Sequence, residues 1–273
     1  MNEIKLIALD IDGTLLDDSK DLPPANREAL SEASRRGVRI AIASGRMTST
    51  IVPIEEMLGI DCIIMAYNGA RIVGPKSEGR PLIAYRPLPA DVAEIFIRFS
   101  RDHRYPLNFY HDEKLYAAER FAHQPLTELY SSRTSAAYDL VPDLDRFLGV
   151  SPTKLILLAD PPDRDRLYEE FRAMLGSRAF ITKSEPEYLE VMDSGVDKGS
   201  GLLSIAQHYG VALEETMAIG DGQNDLEMII KAGWGVAMAN SRPQVKAAAR
   251  VVTERTNNDG GVAEAVERWV LRR

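Results

Sequence analysis

Residues 4–18, IKLIALDIDGTLLDD, decide how the rest of the chain is read. An apolar run closes on Asp10, and Ile11, Asp12, Gly13 and Thr14 follow. In an extended strand side chains alternate between faces, so Asp10 and Asp12 are expected on one side and Ile11 on the other. Two carboxylates held that close repel each other, and a buried pair needs a cation or a proton beside it. The stretch therefore predicts a buried strand that ends in a charged site.

Outward from it, the same type of strand recurs. PANREALSEASRRG (24–37) has helical periodicity, with Pro near its start and Gly37 at its end. VRIAIAS (38–44) is a second strand, a helical stretch runs from Met47 to Leu58, and CIIMAY (62–67) is a third strand. These strands are apolar throughout rather than alternating, which predicts a parallel sheet covered on both faces.

The middle of the chain reads differently. LIAYRPLP (82–89) leads to a helix over 90–101, a hairpin LNFYHDEKLYAAE (107–119) and a polar, irregular stretch. The strand TKLILLAD (153–160), a helix over 164–175 and the strand RAFITKS (178–184) follow, an α+β pattern with antiparallel pairing. From YLEVMD (188–193) onward the parallel pattern is expected to resume. It continues with a helix from Lys198 to His208, TMAIGD (216–221), NDLEMIIKAG (224–233) and WGVAMAN (234–240). A short helix, VVT (251–253) and a last helix complete it. The expected fold is α/β, a Rossmann-like parallel-sheet core over 1–83 and 188–273 with an α+β domain inserted at 84–187.

Composition narrows the function. The net charge of −8 argues against a broad nucleic-acid surface, and no apolar run reaches the ~20 residues of a membrane span. The one cysteine, Cys62, lies in the apolar CIIMA and reads as a buried small residue. His103, His111, His123 and His208 show no metal-ligand spacing, so a zinc site is not expected. A cytoplasmic protein without membrane or nucleic-acid partners is the expectation; oligomeric state is left open.

Four clusters fall at element boundaries: Asp10 with Asp12, Ser44-Gly45-Arg46, Lys198, and GDGQND (220–225). Ligands of open α/β sheets bind at the carboxyl ends of the strands, where three of these clusters are expected. Asp10, Asp12 and Asp221 offer hard oxygen ligands, which favour Mg²⁺ shared with a phosphate. Ser44 and nearby backbone N–H groups suit an anion, and Lys198 supplies a point charge. Together they describe a phosphoryl-transfer site with an aspartate nucleophile. Calcium loops do not fit, because the sixth positions counted from Asp10 and Asp221 are Leu15 and Leu226 rather than Gly. Ile42 stands where a nucleophile elbow needs its first Gly.

DIDGTLL, SGR, Lys198 and GDGQND, in that order, resemble the four motifs of the haloacid dehalogenase-like superfamily. The insert between the second and third motifs resembles its Cof-type, subfamily IIB phosphatases with a C2 cap, as do YNGA (67–70), SGVDKG (194–199) and GVAMANS (235–241). The resemblance implies that Asp10 attacks phosphorus and becomes an aspartyl-phosphate. It implies that Asp12 protonates the leaving alcohol and then activates water, so its carboxyl is expected free to carry a proton. Mg²⁺ would be held by Asp10, Asp221 and the main-chain carbonyl of Asp12. Ser44, Gly45, Lys198 and Asn224 would hold the phosphoryl oxygens. Asp225 would orient Lys198 or metal-bound water, and Arg46 would meet either the phosphate or a structural carboxylate.

The implied activity is a Mg²⁺-dependent phosphatase acting on small phosphorylated metabolites such as sugar phosphates or phosphorylated cofactors. A phosphomutase of the same superfamily and a non-catalytic phosphometabolite-binding protein are the alternatives. The cap is expected to close over the site, with hinges near Leu82–Leu88 and Ser184–Leu189. Tyr110, His111 and Tyr116 are its candidate substrate contacts.

Overall fold

In the computed structural model, which describes residues 3–134 and 136–272, contacts divide the chain into Met1–Tyr85 with Asp197–Arg273, and Arg86–Val196. The first unit opens with β1 (Leu6–Asp10), α1 (Pro24–Arg35), β2 (Arg39–Ala43), α2 (Thr48–Leu58), β3 (Ile63–Ala66), β4 (Arg71–Val73) and β5 (Leu82–Tyr85). The inserted unit holds α3 (Ala90–His103), β6 (Leu107–His111), β7 (Lys114–Ala118), α4 (Pro125–Thr134) and β8 (Asp139–Val141). It continues with β9 (Lys154–Leu158), α5 (Pro161–Leu175), β10 (Ala179–Glu185) and β11 (Tyr188–Asp193). The first unit resumes with α6 (Lys198–Tyr209), β12 (Thr216–Gly220), α7 (Leu226–Lys231), β13 (Trp234–Ala237), α8 (Pro243–Ala248), β14 (Val251–Val252) and α9 (Gly261–Val266).

The first unit is built on an eight-stranded sheet in the order β14-β13-β12-β1-β2-β3-β4-β5. It is parallel from β14 to β3 and antiparallel at β4 and β5. Leu6, Ala8, Ala41 and Met65 pack one face against Leu202 and Ile205 of α6. Ile7, Leu9 and Ile42, pointing the other way, are also buried. Burial on both faces explains the unbroken apolar strands, each large side chain contributing about 1.5–3 kcal/mol.

The inserted unit has a six-stranded sheet in the order β10-β11-β9-β6-β7-β8. All its pairs are antiparallel except β7 with β8. Phe96, Phe109, Leu157 and Phe171 belong to a core confined to this unit.

Three local expectations are corrected. YLEVMD does not resume the parallel pattern: β11 pairs antiparallel with β10 and β9, so residues 188–196 belong with the insert rather than with the second core segment. Its apolar run resembles a core strand because it too is buried, and burial does not encode pairing direction. Ser184–Leu189 is consequently the β10–β11 hairpin, inside the inserted unit, rather than a crossing between units. The stretch read as irregular contains α4, whose polarity is spread around the helix and leaves no apolar stripe to recognise.

Candidate active site

Asp10 is the last residue of β1, Ser44 follows β2, and Asp221 follows β12. These strands are neighbours, so the sheet brings the three residues to one carboxyl edge. Lys198 is the first residue of α6, whose start is fixed by a capping box between Asp197 and Ser200.

Strand alternation does not place Asp12, because β1 ends at Asp10. A tight turn takes over, with the Leu15 N–H donating to the Asp10 carbonyl at 3.2 Å and the Leu16 N–H to the Ile11 carbonyl at 3.0 Å. Gly13 has φ +79°, and a Cβ there would lie 2.7 Å from Asp221 Oδ2. The Thr14 hydroxyl donates to Asp221 Oδ1 at 2.8 Å, and Asn240 Nδ2 donates to the Gly13 carbonyl at 2.8 Å. The turn is thus buttoned onto the loop that carries Asp221. Gly13→Ala is expected to cost about 1–2 kcal/mol in backbone conformation alone. It is also expected to weaken divalent-cation affinity on the order of tenfold or more by displacing Asp221. Thermal melting and cation titration check this, and unchanged values in both would show that the turn relaxes instead.

Lys198 is fully buried between two carboxylates. Its ammonium donates to Asp10 Oδ1 and, at 2.6 Å, to Asp225 Oδ1. Asp225 Oδ2 accepts the Asp221 and Gly222 N–H groups at 3.0 and 2.8 Å, so both of its oxygens are engaged. Burial pulls Lys198 down, but Asp10 and Asp225 outweigh it and raise its pKa above the ordinary lysine value. Burial and the Asp225 charge push Asp10 up to about 8, against the pull of Lys198. Burial also raises Asp221, although the Thr14 hydroxyl opposes it. The shifts of Asp10 and Lys198 conflict, since one neutralises their pair and the other preserves it. The charged ammonium is the firmer of the two, because it has two carboxylate partners.

Carboxylate oxygens of Asp10, Asp221 and Asp225 lie within 4.8 Å of one another. With all three ionised, one ammonium leaves two negative charges uncompensated, which is the repulsion that together with burial raises Asp10, and the donors are all hard oxygens. This set fits a small divalent cation. Asp225 differs from the other two in that both of its oxygens already accept, from Lys198 and from two amides.

Asp12 lies between two cationic side chains. Arg46 grips its carboxylate through both Nε and Nη2, at 3.1 and 2.7 Å, and Lys20 Nζ reaches Oδ1 at 2.9 Å. Burial raises the Asp12 pKa, but these two cations together hold it below the usual carboxylate value. In this structure the Asp12 carboxyl is an ion-paired carboxylate, and Arg46, expected to meet either phosphate or a carboxylate, meets a carboxylate. Lys20 escaped sequence reading because a lysine in a polar turn carries no distinguishing pattern.

Ser44 is buried and its Oγ accepts the Arg46 N–H at 3.2 Å, which leaves the hydroxyl proton available to an anion. Gly45 lies beside Asn68, and Asn224 is exposed with its Nδ2 donating to Asn68 Oδ1 at 3.3 Å. Asn68 lies in the quoted YNGA, where an Asn-Gly pair reads as ordinary turn chemistry and carries no site signal. In the inserted unit Tyr110 is buried, with its hydroxyl on that of Tyr130. His111 and Tyr116 are half-buried and pack against Phe147. Cys62 is buried, and burial pushes its thiol up. Among the described residues no helix is long and apolar enough to cross a membrane.

A family model described as haloacid dehalogenase-like hydrolase matches residues 7–266. Over 243 residues the chain is 31% identical to HMP-PP phosphatase of Escherichia coli (strain K12), covering 89% of this chain and 87% of that one. It is 30% identical to putative phosphatase YxeH of Bacillus subtilis (strain 168), over 98% of both chains. It is also 30% identical to endoribonuclease YBEY, chloroplastic, of Arabidopsis thaliana, but spans only 46% of that protein's length. A solved haloacid dehalogenase-like hydrolase from Bacteroides thetaiotaomicron superposes with a TM-score of 0.87 at 32% identity, covering 97% of this chain and 99% of that one.

Proposed function

The chain belongs to the haloacid dehalogenase-like hydrolases, and from that membership we propose a Mg²⁺-dependent phosphatase of small phosphorylated metabolites, working through an aspartyl-phosphate at Asp10. The observation that carries this reading is the buried Lys198 ammonium joining Asp10 to Asp225, with the Asp221 carboxylate in the same cluster.

Asp10 forms a bond to phosphorus as the bond from phosphorus to the leaving oxygen breaks. Ser44, Gly45, Lys198 and Asn224 hold the phosphoryl oxygens, where negative charge is spread over the transferring group. Asp12 gives its proton to the leaving alcohol, then takes one from the water that hydrolyses the aspartyl-phosphate. The clamp from Arg46 and Lys20 favours the carboxylate form that the hydrolytic step needs. The acid role of Asp12 requires that clamp to loosen. Asp10, Asp221 and the Asp12 carbonyl are the groups that would hold Mg²⁺, which when bound supplies positive charge to the phosphoryl oxygens. The insert Arg86–Val196 takes the cap role, on its position in the chain between Arg46 and Lys198.

Hydrolysis is preferred to a phosphomutase reaction because the bacterial relatives with stated activities are phosphatases. The endoribonuclease named for the Arabidopsis relative is not carried over, since more than half of that protein lies outside the match.

The test is phosphate release across a panel of phosphorylated metabolites, with and without Mg²⁺. EDTA is expected to abolish release and excess Mg²⁺ to restore it. Mg²⁺ should also raise the melting temperature of the wild type but not of Asp221→Asn, because a ligand bound to the native state stabilises it by mass action. Release that persists in EDTA would overturn the metal assignment, and silence across the panel would overturn the phosphatase.

A further inference from the structure

The segment Tyr67–Gly69 follows β3 and runs through three successive left-handed residues, with φ of 50°, 54° and 103°. Asn tolerates this region and Gly prefers it, but an aromatic residue does not. Such a conformation persists only where the surroundings impose it, and it clusters at functional sites. Here the surroundings are the site itself. The Tyr67 N–H donates to the Arg46 carbonyl at 2.9 Å, and the Asn68 N–H donates to the Ser44 carbonyl at 2.8 Å. A Cβ on Gly69 would lie 2.8 Å from the carbonyl of Asp197, the residue before Lys198.

The Asn68 side chain spans the same region. Its Oδ1 accepts from Asn224 Nδ2 at 3.3 Å, and its Nδ2 lies 3.2 Å from where a Gly45 side chain would begin. A carboxamide offers one acceptor oxygen and one donor nitrogen. With Asn68 Oδ1 facing Asn224, the Asn224 amide is turned to present N–H rather than C=O, leaving its second N–H for an anion.

We propose that Asn68 is a positioning residue of the phosphate seat: it sets the orientation of the Asn224 carboxamide and walls the Ser44–Arg46 turn. The inference rests on the phosphatase reading and adds to it a residue outside the four motif clusters. Asn68→Gly is the informative variant, because Gly keeps the left-handed backbone without strain and removes only the carboxamide. Its melting temperature should match or exceed that of the wild type.

The expected result for Asn68→Gly is a rise of about 3–10-fold in KM for p-nitrophenyl phosphate and a matching loss of affinity for orthophosphate, the scale of one hydrogen bond. kcat should change less. Asn68→Asp keeps the acceptor toward Asn224 but sets a negative charge beside the anion, so it should weaken orthophosphate binding further. Combined with Asn224→Ala, Asn68→Gly should add little, since both variants remove one arrangement.

Wild-type KM and orthophosphate affinity in Asn68→Gly, or effects of the two variants that simply multiply, would overturn the proposal. A lower kcat with unchanged KM and orthophosphate affinity would assign Asn68 a merely structural role and overturn it as well. Orthophosphate binding followed by calorimetry keeps the two readings apart. If the wild type turns over nothing, the phosphatase reading fails, while the calorimetric comparison still decides the role of Asn68.

Discussion

Asp10→Asn should abolish phosphate release from every responsive substrate, by at least ~10⁴-fold, the scale at which covalent enzymes lose activity with their nucleophile. The amide is nearly isosteric but cannot attack phosphorus, and it removes one of the carboxylates offered to the cation. The fold should survive. Asp10 sits among Asp221 and Asp225, and burial with their repulsion already raises its pKa to about 8, so a neutral group is tolerated there. Lys198 retains Asp225 as its partner at 2.6 Å. The measurement pairs single-turnover phosphate release with thermal melting of the same preparation. Activity within tenfold of the wild type would sink the nucleophile assignment. A collapsed fold would instead mean that the Asp10–Lys198 contact holds the core together.

Removing Lys198 is expected to damage both stability and chemistry. The side chain is fully buried, and Lys198→Met leaves the Asp10 and Asp225 carboxylates without their ammonium. Breaking a buried ion pair from one side costs about 3–5 kcal/mol. That corresponds to a fall in melting temperature of roughly 10 °C for a domain of this class. Phosphate release should fall by about 10²–10³-fold from the lost electrostatic contact alone. Lys198→Arg should not rescue either property, because a larger, planar guanidinium replaces a compact ammonium at a fully buried position between two carboxylates. The double variant Lys198→Met with Asp225→Asn separates the two effects. Deleting the second charge should recover much of the stability and none of the activity. Recovered activity would sink the catalytic role, and an unshifted melting temperature in Lys198→Met would sink the burial argument.

At three places the structure decides what side-chain pattern leaves undecided or misassigns. Strand alternation predicts Asp12 beside Asp10, whereas the strand ends at Asp10 and a turn containing Gly13, at φ +79°, places Asp12. β11 was assigned to the parallel core because burial makes its residues apolar, whereas its partners are β10 and β9. Arg46 had two possible partners, and the choice depended on a carboxylate 34 residues earlier in the chain. In the last two cases the deciding contact lies far away in sequence or in the hydrogen-bonding direction of a sheet, where side-chain pattern carries no information.

What sequence by itself determined is the α/β class, the apolar strands and the four clusters of candidate site residues at element boundaries. Those are local properties: periodicity reports which faces are buried, and a carboxylate at the end of a buried run is conspicuous wherever it occurs. Only the tertiary structure decided that β12, β1 and β2 lie side by side, that Lys198 is buried between Asp10 and Asp225, and that Asp12 is clamped by Arg46 and Lys20. Charge compensation acts through space over a few ångströms, and the pairing of Lys198 with Asp10 joins residues 188 positions apart. The fold, by closing that distance, turns separate charged residues into one candidate site.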